Sequence, residues 1–501
     1  MLAILTTVST KGIAMKTYYA AFALSALPLA AAAQTTPADV LADWQALDAA
    51  FGFMEMSYTV TTETRDFIRL DDFVITSSID MGFGSLDFTA NLGWAELRAQ
   101  GDGTVAFSEA DTIILDMAST MEMAGEVTRS EARSTLQMLG ASTIISGTPG
   151  LHNYTGQYDE IQITTQQTSW FNEGEPVKTT DTQTHRGLDY TYTIPSAPLG
   201  MASFSYSVES ATIATSVPAD PASAMPISVS TDMTIAARQD EGQINLAAFA
   251  GETLDLGALD FALSSTAEGM TMDMTGAGMQ VQMRFGAMTG AMALNAQTGS
   301  FAFDISDITA RNAIMGMPVE FSFDRFAVDA SAPLGPRHRI GTSRFALDIE
   351  GFTLDDALMA MMDPSSDLGR GPLDLSVSAE GQTSALYDLA NPVDPETMEP
   401  PELRSFRFDV AGAFTDFNFT ADGSGQMQDD RPVGTGQASV MNLQSMLERL
   451  AAVGLISSFD MSLAQGMIAA MFTPGPAPGS LRTSVEMRAD GTIWVNGVQM
   501  Q

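Results

Sequence analysis

Apolar and polar residues alternate with a period of two along most of this chain, which restricts its fold more than any other feature. Successive side chains of a β-strand point to opposite faces, so this alternation produces one apolar and one polar face. Antiparallel sheets tolerate a solvated face, whereas parallel sheets are buried on both sides. The apolar members of the clearest runs are Met54, Met56, Tyr58 and Val60; Tyr190, Tyr192 and Ile194; Phe204, Tyr206 and Val208; Met270, Met272 and Met274; Phe301, Phe303 and Ile305; Phe345, Leu347 and Ile349; Leu373, Leu375 and Val377; Phe406, Phe408 and Val410.

The pattern predicts a mainly β protein built on a long curved antiparallel sheet, either a half-pipe or an open sandwich. Asp-Gly steps such as Asp102-Gly103 and Asp490-Gly491 separate the runs and are typical of turns between strands. No strict repeat period is present, so a solenoid or a propeller is not predicted. The apolar residues also do not keep the same odd or even positions from one run to the next.

A few amphipathic helices accompany the strands, most of them C-terminal. Thr36 and Pro37 can begin one helix, which would place Val40, Leu41, Trp44 and Leu47 on one face. The C-terminal predictions are a helix near 353–363 capped by Thr353, helices Asn442–Val453 and Asp460–Phe472 within 442–472, and a final hairpin over 481–500 with strands Leu481–Met487 and Ile493–Val498. We expect these helices to cover part of the apolar face or an open end of the sheet.

The first 33 residues have the pattern of a secretory signal peptide. Lys11 and Lys16 precede the apolar run Tyr18–Ala33, which ends in three alanines. The run is shorter than the roughly 20 residues of a membrane span. We therefore expect cleavage after Ala33, with Met1 or Met15 as the start, and a periplasmic protein without a membrane span.

Composition excludes several classes of partner and cofactor. The 501-residue chain carries a formal net charge of −38 and no cysteine. Such a surface repels nucleic acid and anionic lipid, both of which are bound through basic residues. Disulfides, iron–sulfur clusters and thiolate zinc sites are impossible without cysteine. The acidic residues are scattered, which indicates a solvated acidic surface rather than a cation store.

No motif assigns catalysis. The three histidines, His152, His185 and His338, lack the spacing of a zinc site, and the chain has no Gly-x-Ser-x-Gly elbow, P-loop or dinucleotide fingerprint. The Asp422–Asp430 segment lacks the Gly and Glu of a calcium loop. We therefore predict a protein that is not an enzyme, and assign no catalytic, cofactor-binding or metal residue and no cofactor.

The C-terminal half resembles a bacterial exported family known as domain of unknown function 2125. The resemblance is carried by Phe352–Pro364, Gly371–Val377, Ala411–Phe414, Asp422–Gly425, Pro432–Gly436, Leu443–Val453 and Met487–Gly497. None of these segments holds a catalytic motif, so the resemblance implies no chemistry. A fainter resemblance to AsmA-like envelope proteins, carried by the alternating strands and the terminal Asp-Gly hairpin, implies a β half-pipe with an apolar groove.

Three functions are compatible with these features. The first is an envelope protein that shelters an apolar or lipid ligand in a groove of the sheet, suggested by the methionine-rich alternating strands of a chain that has 33 methionines in all. The second is a structural or partner-binding envelope protein without ligand. The third, a hydrolase, would need His152, His185 or His338 beside a Ser or Asp in a cleft. The expected divisions are signal peptide 1–33, N-terminal β region 34–225 and C-terminal region 226–501.

Overall fold

A computed structural model gives the fold of most of the chain, and it confirms a mainly β, antiparallel architecture. In the described residues, 25 strands belong to one hydrogen-bonded antiparallel sheet. Within the part described, no helix has the length and apolar character needed to cross a membrane. The structure describes residues 35–51, 54–80, 84–123, 126–171, 176–196, 198–217, 229–250, 255, 257–276, 279–314, 317–364, 366–388, 400–429 and 431–500.

Two compact units divide the chain. Unit 1 comprises Met1–Glu268 and Met272–Ala277, and unit 2 comprises Gly269–Thr271 and Gly278–Gln501. The boundary expected between 225 and 226, like the signal peptide over 1–33, lies outside the described residues.

The described part of unit 1 contains one α-helix, a short 3-10 helix and the first strands of the sheet. Long strands that follow one another in the chain pair directly, as β8 pairs with β9 and β9 with β10. The elements are α1 (Pro37–Ala50), β1 (Met54–Glu63), β2 (Phe67–Asp80), β3 (Gly84–Ala99), β4 (Val105–Glu109), β5 (Thr112–Met123), β6 (Glu126–Leu139), β7 (Ser142–Thr148), β8 (Leu151–Phe171), β9 (Val177–Pro195), β10 (Met201–Val217), β11 (Val229–Asn245), the 3-10 helix Leu246–Phe249 and most of β12 (Asp260–Gly276).

Helix α1 begins where the sequence predicts it, at a reciprocal cap. The Thr36 hydroxyl accepts from the Asp39 amide at 3.2 Å, and the Asp39 carboxylate accepts from the Thr36 amide at 3.0 Å. Its predicted apolar face is buried in the core of unit 1. There Trp44 stacks on Phe73 with ring centroids 5.9 Å apart and meets Phe107 edge-on at 5.8 Å.

The core of unit 1 is densely filled. Branched aliphatic side chains from the inner faces of β2, β3, β5 and β7 are fully excluded from solvent. They include Ile68, Leu70, Leu97, Leu115 and Ile145, each 0% exposed. At roughly 25 cal/mol per Å² of buried apolar area, such a core stabilises a domain without disulfides.

Unit 2 has longer uninterrupted pairing, and three helices occur among its described residues. Each strand from β15 to β21 pairs with the next, and β21 then pairs with β23. The elements are β13 (Met279–Phe285), β14 (Met288–Asn295), β15 (Thr298–Ile314), β16 (Met317–Pro333), β17 (Ile340–Leu354), α2 (Asp356–Met362), β18 (Leu373–Ser384), β19 (Leu403–Phe414), β20 (Phe417–Gln428), β21 (Arg431–Met441), α3 (Leu443–Ala452), α4 (Ser458–Met471), β22 (Thr473–Pro474), β23 (Ser480–Met487), β24 (Ile493–Val495) and β25 (Val498–Gln499).

Two local predictions in unit 2 are wrong in detail. Asp355, not Thr353, caps α2, because its carboxylate accepts from the Leu358 amide at 2.7 Å while Thr353 is the penultimate residue of β17. The predicted strand Ile493–Val498 is interrupted by a two-residue turn. Asn496 and Gly497 both have positive φ, at 48° and 80°, and reverse the chain between β24 and β25.

The docking of α1 should be a major source of stability in unit 1. We expect Trp44→Ala to lower the free energy of unfolding by about 3–5 kcal/mol, because a large buried ring is removed. Trp94→Ala is the control, since that ring is only half-buried and lies under the Arg69 guanidinium. Its loss should be about 1 kcal/mol or less. Urea unfolding measures both, and equal losses would contradict the assigned role of α1.

Candidate apolar ligand surface

One face of the unit 2 sheet is apolar across eight paired strands. In-register neighbours place their side chains on the same face, so a row can be followed from β15 to β23. At the usual spacing of about 4.8 Å per strand, the row is about 34 Å long. Its members are Ile305, Phe326, Ile349, Leu375, Gly412, Phe419, Val440 and Leu481.

A second row, four residues away along each strand and on the same face, is the more exposed. Phe345 is 43% and Phe408 36% exposed although they lie mid-strand. We call this surface, with the row above, the Phe/Gly face. Members of the second row are Phe301, Ala330, Phe345, Ala379, Phe408, Gly423, Gly436 and Val485.

Phenylalanine rings lie across glycines of the neighbouring strand on this face. A Cβ atom added at Gly423 would be 2.7 Å from the Phe408 ring, and one at Gly425 would be 2.8 Å from the Phe406 ring. These glycines therefore allow close approach of a ring. The result is a surface of ring and backbone atoms instead of upright interlocking side chains.

The opposite face of the same strands is polar, so the two faces are clearly distinguished. Asp409 on β19, Asp422 on β20 and Gln437 on β21 are directly paired across it. The Gln437 amide donates to the Asp422 carboxylate at 3.0 Å. Arg325 on β16 donates to both Asp304 and Glu350, at 2.7 and 2.9 Å. Water can therefore solvate this face, while the Phe/Gly face exposes carbon.

The methionine-rich strands differ from the Phe/Gly face. On β12, Met270 and Met272 are 5% and 6% exposed and fill space as ordinary packing residues. On β13, Met279 is 50% exposed and Met283 is half-buried. The extended half-exposed apolar surface thus consists mainly of phenylalanine and branched aliphatic residues, which the methionine count does not reveal.

His152 is buried beside a carboxylate. Its Nδ1 lies 2.7 Å from Oδ2 of Asp43 on α1, and the Gly150 amide donates to the same carboxylate at 2.9 Å. Burial is the main influence on His152 and lowers its pKa, although Asp43 and Asp39 act in the opposite direction. The imidazole is 2% exposed, and its Nε2 has no hydrogen-bond partner within the described residues. The pair thus has neither a nucleophile at Nε2 nor access for a substrate.

The other two histidines have different surroundings. His185 is 7% exposed, and burial, followed by the nearby Arg238 charge, lowers its pKa to about 4. Its Nε2 is 3.5 Å from the Gln183 side-chain oxygen. His338 is exposed in a turn. The structure therefore does not bring the three histidines together, and no group of three or more metal-ligating side chains occurs in the described ranges.

A buried carboxyl group that the sequence did not single out lies in unit 1. Glu109 is 7% exposed, and its Oε1 accepts from the Tyr158 hydroxyl at 3.0 Å. Tyr158 stacks on Tyr190, whose hydroxyl bonds to Thr143. Burial raises the pKa of Glu109 to about 7. In the sequence, Glu109 differs from other glutamates only in sharing the parity of the apolar residues Val105 and Phe107 at the end of a strand. That signal is too weak to identify a buried carboxyl group.

Known proteins add little to this picture. No protein-family model and no curated protein matches the chain. Among solved structures, CdiB from Acinetobacter baumannii aligns over 80% of this chain and 66% of that chain, with 8% identity and a TM-score of 0.11. A likeness at that level carries no argument. The resemblances to domain of unknown function 2125 and to AsmA-like proteins stay predictions from the residues quoted above.

Glu109 should make the stability of unit 1 depend on pH. Its folded-state pKa of about 7 lies above the ordinary 4.5, so its contribution is fully present below pH 4.5 and is lost as the pH rises through 7. Glu109→Gln stays neutral and keeps an acceptor for Tyr158. We expect equal stability at pH 4.5, and a variant more stable at pH 8 by on the order of 3 kcal/mol.

Urea unfolding at the two pH values tests this expectation. Glu55→Gln, at an exposed position of β1, is the control and should change stability by less than about 0.5 kcal/mol. His185 has the opposite sign, because its lowered pKa makes stability fall as the pH drops below 6.5 toward 4. It is present in both proteins, so its effect cancels in the difference. A Glu109→Gln difference independent of pH would contradict the assigned protonation.

Proposed function

We propose that this protein is an exported, non-enzymatic envelope protein that shelters an apolar chain, such as a lipid acyl chain, on the Phe/Gly face of unit 2. The supporting observation is a continuous apolar face over eight strands that is exposed in part, although Ile305 and Val440 within it are only 5% and 6% exposed. Soluble proteins rarely expose contiguous apolar surface beyond a few hundred Å² unless it binds something. Phe345 and Phe408, at 43% and 36% exposure, lie mid-strand within it.

The chemistry of the face favours an apolar chain over a polar small molecule. Ligand sites for polar molecules combine apolar walls with a few placed polar groups. The row through Phe408, in contrast, consists of phenylalanine, alanine, valine and glycine residues. None of these has a polar side-chain atom. Carbon-only contacts give little directional specificity, so we expect a range of acyl chains to bind.

Export supports the same proposal. The apolar run before Ala33 and the absence of cysteine fit a chain sent to the periplasm, where lipids must cross water between membranes. Intact-mass measurement of the protein from a periplasmic extract tests the cleavage site. A mass beginning at Gln34 is expected, and a mass that retains the first 33 residues would contradict it.

Native mass spectrometry of the purified protein, paired with organic extraction, tests the ligand. We expect a bound mass of lipid size that is recovered in the organic phase. A protein that stays free of ligand even after incubation with palmitate would contradict the proposal. That result would favour the alternative of a structural or partner-binding protein.

The variant Gly436→Val tests whether the Phe/Gly face binds the ligand or is only exposed to water. A Cβ at Gly436 would have contacts of 3.4–4.0 Å, which are ordinary, and its nearest ring atom would be Phe408 Cζ. Valine is also favoured in strands, so the fold should persist. We expect the variant to fill the face and weaken palmitate binding at least about tenfold.

Thr435→Val is the matched control for Gly436→Val. The neighbouring residue of β21 points to the opposite face, as strand geometry requires, and is exposed. It adds a β-branched apolar side chain without touching the Phe/Gly face. We expect unchanged palmitate binding, and equal losses in both variants would place the ligand elsewhere.

A further inference from the structure

Helix α4 lies in the least charged stretch of the described C-terminal region. Between Arg449 and Arg482 the only charged residue is Asp460, in a chain of which 17% is charged. Asp460 itself is occupied in the helix cap, where its carboxylate accepts from the Ser457 hydroxyl and its amide donates back to that hydroxyl at 3.2 Å. The body of α4 is therefore free of charge.

The outer side of α4 carries a stripe of large apolar side chains in water. Phe459, Leu463 and Met467 are 74%, 55% and 54% exposed, and Leu455 in the preceding turn is 57% exposed. Their spacing of four places them along one side of the helix. The other side, with Met461 and Ile468, is half-buried. A helix this apolar on both sides is stable in general only when its outer side is covered as well.

The two ends of α4 are fixed, so the stripe is held outward. At its C-terminal end, the side-chain amide of Asn496 donates to the Met471 carbonyl at 2.8 Å, and Thr473 then pairs with Arg482 of β23. On its N-terminal side, α4 packs against α3, whose Arg449 forms an ion pair with Asp416 at 2.7 Å. These contacts argue against a lid that swings onto the Phe/Gly face.

We propose that α4 docks on a lipid bilayer of zwitterionic headgroups, with Phe459, Leu463 and Met467 entering the acyl boundary. Its 14 residues measure about 21 Å, too short for the roughly 30 Å hydrocarbon core, so it lies in the interface. Phe459 and its neighbours can be buried there without hydrogen-bond partners. The inference is independent of the ligand proposed for the Phe/Gly face.

The charge of the protein favours a zwitterionic bilayer over an anionic one. Interfacial helices that bind anionic lipid carry Lys or Arg on the polar side, whereas α4 has neither. The net charge of −38 adds repulsion from anionic headgroups. A protein partner is disfavoured because protein interfaces have a polar rim, and the polar residues of α4 are Ser458, Ser462, Gln465 and the capping Asp460.

Flotation with phosphatidylcholine vesicles tests the proposal on the full chain. We expect the protein to float, and the variant Phe459→Ser/Leu463→Ser/Met467→Ser to partition at least about tenfold less. Replacing part of the phosphatidylcholine by phosphatidylglycerol should weaken binding at low salt, and added salt should restore it. The positions are exposed, so the variant should keep its fold and its palmitate binding.

A matched control removes equally exposed apolar side chains elsewhere. Met361, Leu386 and Leu139, exposed by 64%, 46% and 53%, are replaced by serine together. We expect this control to float like the unaltered protein. Absence of flotation, equal loss in both variants, or stronger binding to phosphatidylglycerol at low salt would overturn the proposal.

Light scattering of the two variants tests a second copy as the occupant of the stripe. The proposal expects one unchanged mass for the unaltered protein and both variants. A dimer that dissociates only in the α4 variant would overturn it in favour of self-association.

Discussion

Cross-strand pairing in a fixed register is the constraint on which this structure depends. The chain has no cysteine, so hydrogen-bonded ladders and the burial of one sheet face must hold it together. A slip of one residue would move every apolar side chain to the opposite face. In unit 1 the resulting penalty is large, because side chains such as Leu70 and Leu115 are fully buried. The helix α1, capped by Thr36 and Asp39, completes that burial through Trp44.

The two units use the same alternating pattern with different results. In unit 1 the inner face meets α1 and is closed, even around ionisable groups such as Glu109 and His152. In unit 2 the corresponding surface is flattened by rings lying over Gly423 and Gly425, and several of its side chains stay half in water. Burial in the first unit supplies stability, whereas incomplete burial in the second leaves surface available for binding.

Much of the fold could be predicted from the sequence because alternation is a local signal. The alternating faces of the strands follow from it, whereas the apolar side of α1 and the positions of α3 and α4 follow from caps and from the 3.6-residue spacing of apolar residues. The point at which a strand turns its other side inward could not be located: at Gly187, with φ of 58°, the buried positions of β9 change parity, so that His185 lies inward, although the pairing with β8 and β10 keeps its register. The Phe/Gly face also needed the register, since the pairing of Phe408 with Gly423 joins residues of different strands. The Asn496-Gly497 turn, in contrast, has a local sequence signal, because Asn-Gly is typical of a two-residue hairpin turn.

The charges of the chain bear on how its exposed apolar surface can be used. The polar face binds its few cations internally, with Arg325 held by Asp304 and Glu350 and Arg488 by Glu486. The unpaired excess is acidic and makes copies of the protein repel one another. Because these arginines are already neutralised, they cannot also recruit anionic headgroups. An acidic protein with an uncharged apolar helix can thus approach a membrane only through carbon, which requires the contact to weaken, not strengthen, as the lipid becomes anionic.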